Sequence, residues 1–130
     1  MLKTATVMIL LNWISVNTDY DTKNFNTKIL EVSKKEIQRM ACRGNCPVIA
    51  FYKKNEFIYI TEMDFDESFC NQSILIHEII HVLQNEKEME NAFREQEAYL
   101  IQEKFLMQRS IENNFLKNLS IRVCRKQQNF

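Results

Sequence analysis

Two histidines separated by three residues form the part of this chain best suited to metal chemistry. His77 and His81 are the only two histidines among its 130 residues, and they flank the segment Glu78-Ile79-Ile80. Residues four apart on an α-helix differ by only about 40° in direction, so both imidazoles can reach one ion. Zinc accepts imidazole nitrogens in this arrangement. We therefore predict one Zn²⁺ bound by His77 and His81.

Glu78 lies between the two histidines and is a candidate general base. It is rotated by about 100° from His77, which keeps it off the metal but close enough to take a proton from an activated water. The alternative is a pair of core histidines that bind no metal. An unpaired imidazole in so apolar a helix would lose its hydration without compensation, which favours the metal.

A catalytic zinc site needs a third protein ligand, and the chain downstream offers carboxylates but no histidine. Here the sequence resembles the gluzincin metallopeptidases, in which a His-Glu-x-x-His helix precedes a helix with a Glu-x-x-Ala ligand motif. That motif selects Glu95, with Ala98 three residues later. Glu97 is the alternative ligand, because a shift in the start of the helix could exchange the two. The resemblance covers residues 73–108 and extends to small secreted bacterial zincin-like proteins.

The chain departs from the gluzincin pattern at two places. Many gluzincins have an acidic residue four positions after the ligand glutamate that orients an imidazole, and here that position is Tyr99. Gln102 or Tyr99 would have to hold the histidine ring instead. The histidine that stabilises the oxyanion in several such enzymes is also missing. Candidates to replace it are Tyr99, Tyr59 and Arg94.

The resemblance implies a peptidase whose substrate is a peptide or protein. An alternative from another class is a non-catalytic, zinc-stabilised binding module, which predicts a closed site without an open metal position. The peptidase interpretation also suggests that residues 57–61 form an exposed strand edge, where an extended substrate could pair with the main chain. The alternative is that the strands only cover the metal helix, which is the more frequent case.

Hydrophobic periodicity predicts the elements that position these residues. Apolar positions at helical spacing indicate an amphipathic helix over residues 26–41, and β-branched runs at 48–52 and 57–61 indicate a β-hairpin. The metal helix should run to about Gln84, and another helix should begin near Asn91. The predicted fold class is α+β: a small, helix-rich, zincin-like domain with a hairpin beside the His-Glu-x-x-His helix.

Composition narrows the function further. Seventeen basic and seventeen acidic residues cancel, so no long-range field attracts nucleic acid. Residues 18–130 fit a single domain. Residues 1–17 contain an apolar run too short to span a bilayer, which is interpreted as a signal peptide or as a first element packed on the domain.

Four cysteines fit a protein exported to the periplasm or beyond the cell, although a cytoplasmic location stays open. The preferred pairing joins Cys42 with Cys46 and Cys70 with Cys124, because neighbours in sequence close most easily. Half a metal site at Cys42 and Cys46, or buried free thiols, are the alternatives.

Overall fold

The computed structural model describes residues 2–42, 48–85, 87 and 89–127, which form an α+β fold and confirm the predicted class. The helices of this part are α1 (Thr4–Asn17), α2 (Lys34–Cys42), α3 (Phe69–Gln84), α4 (Asn91–Glu112) and α5 (Ile121–Gln127). The strands are β1 (Ile29–Val32), β2 (Ala50–Tyr52) and β3 (Ile58–Thr61).

The three strands form one sheet in the order β1-β3-β2. β2 and β3 pair antiparallel through a turn in which Asn55 has a φ of 65°, so the predicted hairpin is confirmed. β1 adds to the other side of β3 in parallel. The expectation that residues 57–61 present a free edge is therefore wrong, because β3 is the middle strand. The edge that packs against α3 belongs to β2.

The predicted helix over residues 26–41 is also wrong in its first half. β1 occupies its start, and α2 begins at Lys34 after Ser33, whose Oγ accepts a hydrogen bond from the Glu36 N–H at 3.1 Å. The parallel pairing of β1 with β3 satisfies main-chain groups that a helix would have satisfied internally, and this long-range pairing decides the conformation.

The metal-motif helix α3 is the centre of the fold and packs on α4, β2 and α1. It begins after Ser68, whose side chain caps the Asn71 N–H at 3.1 Å, and it ends at Gln84 as predicted. Its apolar side chains are buried on several sides, which holds the helix rigidly between its neighbours. The fully buried apolar residues of α3 are Leu75, Ile76, Ile79 and Ile80.

The C-terminal helices α4 and α5 close the other side of α3. α4 begins at Asn91, as predicted. The predicted disulfide between Cys70 and Cys124 is present, with a Cα–Cα distance of 5.4 Å, and it ties α5 to the first turn of α3. The other expected pair involves Cys46, which lies outside the described residues.

The N-terminal helix α1 packs against the rest of the described chain. The ring of Trp13 meets the ring of Phe105 edge-on at 5.2 Å, and its Nε1 donates to Gln108 Oε1 at 2.9 Å. Leu10 and Ile14 are fully buried beside it. Among the described residues, none of the helices has the length and apolar content that crossing a bilayer requires.

Candidate metal centre

The two histidines of α3 turn their Nε2 atoms toward each other. His77 Nε2 and His81 Nε2 lie 3.1 Å apart, and the ring planes are inclined by 82° with centroids 4.7 Å apart. This follows from the helix, because one turn brings residues four apart to the same side. The predicted convergence of the two imidazoles is present.

A chain of three hydrogen bonds fixes which nitrogen of His77 carries the proton. Ser73 Oγ donates to the Cys70 carbonyl at 2.7 Å, so it must accept from Gln102 Nε2, which lies 3.2 Å away. The orientation of the Gln102 amide then places its Oε1 3.0 Å from His77 Nδ1. An oxygen acceptor at this position requires a proton on Nδ1, which leaves a lone pair on Nε2.

His81 is held in the same way by a second glutamine. Gln84 Oε1 lies 2.8 Å from His81 Nδ1, and Gln84 Nε2 donates to the Arg94 carbonyl and to Glu97 Oε1, each at 3.0 Å. A carbonyl oxygen can only accept, so the amide orientation is set here too. His81 Nε2 therefore also presents a lone pair to the space between the rings.

Glu95 is the carboxylate of α4 that reaches the two histidines. Its Oε1 lies 3.4 Å from His77 Nε2 and contacts His81 Nε2 closely, while half of the side chain stays exposed. Glu97, two residues further along α4, points elsewhere and accepts hydrogen bonds from Gln84 Nε2 and the Tyr20 hydroxyl. Of the two predicted third ligands, the geometry brings Glu95 to the site and assigns Glu97 to the support of His81.

The hydroxyl of Tyr20 contributes to this support from the segment that follows α1. Burial and the hydrogen bond to Glu97 raise the pKa of Tyr20 well above its ordinary range. The phenol therefore stays protonated and donates to Glu97. Glu97 and Tyr20 together brace Gln84, so the orientation of His81 depends on residues from three parts of the chain.

Glu78 lies beside the histidines and contacts the sheet. Its Oε1 accepts a hydrogen bond from the Tyr52 N–H of β2 at 2.8 Å. Burial raises the pKa of Glu78 to about 7, and the nearby His81 partly opposes this effect. A carboxyl group with a pKa near neutrality can both accept and return a proton, as general acid–base catalysis requires.

The donor set fits a divalent metal ion. Metal-binding atoms of His77, Glu78 and His81 lie within 4.8 Å of one another, and Glu95 adds a carboxylate oxygen next to both imidazoles. Burial and the neighbouring His81 lower the pKa of His77, which favours the neutral ring that binds a metal. Two nitrogen lone pairs and one carboxylate, turned toward one point, repel each other unless a cation lies between them. Nitrogen and oxygen ligands in this number suit zinc.

A cavity of about 850 Å³ opens onto this cluster. Tyr99 lines it, with its ring 4.6 Å from the His77 ring, whereas Tyr59 does not and its hydroxyl lies beside Glu56. Arg94 lines a smaller neighbouring cavity, and its guanidinium donates to the carbonyls of Met89 and Lys87. Of the predicted oxyanion candidates, the structure therefore brings only Tyr99 into the main cavity.

Gln84, Tyr52 and Arg125 are among the residues of the site that sequence reasoning missed. Gln84 follows His81 by three positions on the same helix, and this spacing alone could have identified it as a partner. Tyr52 and Arg125 line the cavity but belong to β2 and α5, distant in sequence from α3. No local pattern marks either of them, because their positions depend on packing of the whole fold.

Comparison with known proteins identifies a family but no activity. A model of the domain of unknown function DUF6647 matches residues 2–127, nearly the whole chain. The protein belongs to the DUF6647 family. No curated protein and no solved structure gave a significant match. The function of this DUF6647 domain must therefore be argued from its site.

Proposed function

We propose that this DUF6647 domain is a zinc-dependent peptidase that hydrolyses peptide bonds. One observation carries the proposal: the lone pairs of His77 and His81 and the Glu95 carboxylate converge beside Glu78 at the wall of a substrate-sized cavity. A purely structural metal site needs neither the cavity nor an additional carboxyl group between the histidines.

Three of these residues are proposed metal ligands, and the fourth is the proposed general base. His77, His81 and Glu95 would hold Zn²⁺, which, when bound, supplies a Lewis acid that polarises a carbonyl and acidifies water. Glu78 takes the proton of the attacking water and returns it to the leaving amine, so the C–N bond breaks while a new C–O bond forms.

The edge strand β2 offers a place for an extended substrate. The Ile49 carbonyl accepts a hydrogen bond from the Thr61 N–H of β3. In an antiparallel pair every second residue directs its N–H and C=O away from the partner strand, so those of Ala50 and Tyr52 point away from β3. The Tyr52 N–H indeed points to Glu78. Ala50 lines the cavity, and its outward main-chain groups can pair with a peptide laid along the edge.

The second candidate function is a zinc-stabilised binding module without catalysis. The hydrogen bond between Tyr52 and Glu78 favours it, because this contact also links β2 to α3 in a purely structural way. The two candidates differ in what the Glu78 carboxyl does once zinc is bound.

Substitution Glu78→Gln separates the two functions. The amide Oε1 can still accept from Tyr52 N–H, so we expect the variant to fold and to bind one zinc per chain, as measured by elemental analysis. Cleavage of a peptide library should fall at least about 100-fold, the range of general acid–base catalysis. Removal of zinc with a chelator should abolish cleavage, and added zinc should restore it.

Glu31→Gln is the matched control, because Glu31 is exposed on β1 at the opposite edge of the sheet. Its zinc content and cleavage should equal those of the wild type. Zinc-loaded wild type that cleaves no peptide would reject the peptidase in favour of the binding module. A wild type that binds no zinc would reject both.

A further inference from the structure

Arg125 of α5 lines the same cavity as the metal-binding residues. The side chain is exposed, and its Cζ lies 5.8 Å from the centre of the Tyr99 ring, which in turn packs on His77. Within the described part of the chain, no acidic side chain forms an ion pair with it. Arg125 is thus a cation near the candidate metal site that has no counter-ion among the residues the structure describes.

The backbone beneath Arg125 is well anchored. Cys124 is buried and bonded to Cys70 of α3, and its N–H donates to the Ser120 carbonyl at 2.9 Å. The Glu103 carboxylate of α4 accepts from the Ile121 N–H at the start of the helix. The backbone of α5 is therefore tied to α3 by the disulfide and to α4 by the Glu103 hydrogen bond, which keeps Arg125 at the cavity.

The charges of the cavity leave Arg125 uncompensated when a metal is present. Glu78, Glu95 and Arg125 are the charged residues of its described lining, apart from the two histidines. A bound divalent cation would bring two positive charges against at most two carboxylate charges, and neutral imidazoles add none, so no negative charge of the lining is left for the guanidinium. The remaining charge of the lining is that of the guanidinium, which is suited to bind a planar carboxylate through two parallel hydrogen bonds.

Much of the remaining lining is apolar and includes Val48, Ile49, Ala50 and Ile74. A peptide laid along β2 would therefore place apolar groups against these residues and have its carboxylate drawn toward Arg125 of α5.

We propose that Arg125 selects peptides that carry a carboxylate close to the cleaved bond, as an acidic side chain or as the C-terminus of the peptide. This inference rests on the proposed function, since it names the substrate class of the same site. A charge-assisted hydrogen bond between the Arg125 guanidinium and a substrate carboxylate should favour such a peptide about 10-fold or more over its neutral counterpart.

The test uses a randomised peptide library in two forms, one with free C-termini and one amidated, digested by the zinc-loaded full chain. Mass spectrometry should find Asp and Glu about 10-fold enriched over Asn and Gln near the cleaved bonds, or a similar excess of cuts near free C-termini. The first result identifies a side-chain carboxylate and the second a terminal one. Arg125→Gln should remove the preference, and Arg125→Glu should turn it toward Lys and Arg.

Arg122→Gln is the matched control, because Arg122 lies on the same helix and lines a neighbouring depression but not the catalytic cavity. It should keep the preference of the wild type. Equal cleavage of acidic and neutral sequences, in both library forms, would overturn the inference while leaving the peptidase intact. A preference that survives in Arg125→Gln would overturn it as well.

A binding measurement keeps the two proposals distinguishable. Fluorescence anisotropy of a labelled Glu-containing heptapeptide and its Gln counterpart is recorded on the zinc-loaded Glu78→Gln variant, with and without Arg125→Gln. Charge-dependent binding without cleavage by the wild type supports the carboxylate site and rejects the peptidase. Binding that does not depend on the peptide charge, together with an absence of cleavage, overturns both.

Discussion

The two metal-motif histidines are oriented by amides rather than by carboxylates. Gln102 accepts from His77 Nδ1 and Gln84 accepts from His81 Nδ1. Each amide is itself locked by a partner of fixed hydrogen-bonding role, so neither ring can rotate without breaking a chain of bonds. A neutral acceptor fixes the tautomer but increases the basicity of the ring less than a carboxylate would. The orientation of the ligands is thus the main contribution of these glutamines.

We predict that Gln102→Leu weakens zinc binding about 10- to 100-fold, as is typical when the partner of a ligating histidine is lost. His77 would keep its position on α3 but lose the contact that holds its proton on Nδ1. Competition with a chelator of known affinity measures the change. Cleavage at saturating zinc should decline less than the affinity, because Glu78 is untouched.

Gln96→Leu provides the control, since Gln96 is an exposed residue of the same helix α4. Its zinc affinity should match that of the wild type. An unchanged affinity in Gln102→Leu would mean that burial alone orients His77, and the hydrogen-bond chain through Ser73 would have no role in binding.

At the residue scale, sequence was most informative where the chemistry is local. The four-residue spacing of His77 and His81 depends only on helix geometry and predicted their convergence. The choice between Glu95 and Glu97 instead depends on which face of α4 packs on α3, and single-residue spacing could not decide it. Gln84 was overlooked although it is local, because a glutamine near the end of a helix is usually a solvated residue.

Helix α1 is anchored at its start by a carboxylate from another part of the chain. Asp66 Oδ1 accepts from the Lys3 N–H at 3.0 Å and from the Thr6 hydroxyl at 2.6 Å. The first N–H groups of a helix have no partner within the helix, and an anion there also interacts favourably with the helix dipole. Asp66 therefore supplies the N-terminal cap of α1, because Lys3 at the N-cap position makes no capping hydrogen bond with its own side chain.

Asp66→Ala should destabilise α1 in a pH-dependent way. The bonds from Thr6 and Lys3 lower the pKa of Asp66, so its contribution to stability is present above the ordinary carboxyl pKa and is lost as the pH falls through the lower folded value. The variant should melt earlier than wild type at neutral pH, and the gap between the two curves should begin to narrow near pH 4 and close only when the pH lies below the lowered folded pKa of Asp66. Fluorescence of Trp13 reports the transition, because it is the only tryptophan and lies in α1.

Asp19→Asn tests whether charge alone explains the effect. Asp19 is exposed and lies just beyond the end of α1. Its removal should leave the melting curve close to that of the wild type at every pH. A gap between Asp66→Ala and wild type that persists at low pH would contradict the role given to the carboxylate.

At the element scale, periodicity identified most helices but misassigned residues 29–32. Ile29 and Leu30 fit a helical face with Ile37, yet their main chain pairs with Ile58 and Tyr59 almost thirty residues away. Local pattern contains no information on such a partner. A nearer signal existed, because Ser33 and Glu36 have the spacing of a capping box and mark Lys34 as the start of a helix.

The whole molecule is cross-linked through α3 in two places. The candidate metal ligands join α3 to α4, and the disulfide joins α3 to α5. The two links have different consequences, since a bound metal would complete the candidate metal centre whereas the disulfide ties the helix of Arg125 to α3. They can be removed separately, because no metal-binding residue lies on α5.

We predict that the double substitution Cys70→Ala and Cys124→Ala lowers the free energy of unfolding by about 4 kcal/mol, the loop-entropy value for a cross-link between residues 54 apart. Alanine leaves no unpaired hydroxyl at these buried positions. Urea unfolding of the metal-free protein, kept so by a chelator, measures the change without the added stability from bound zinc.

Zinc affinity should change little, because the ligands lie on α3 and α4, whereas the preference for acidic peptides should be lost. Unchanged stability would contradict the loop-entropy argument for this cross-link, and a large loss of zinc affinity would mean that the two ends of α3 are coupled.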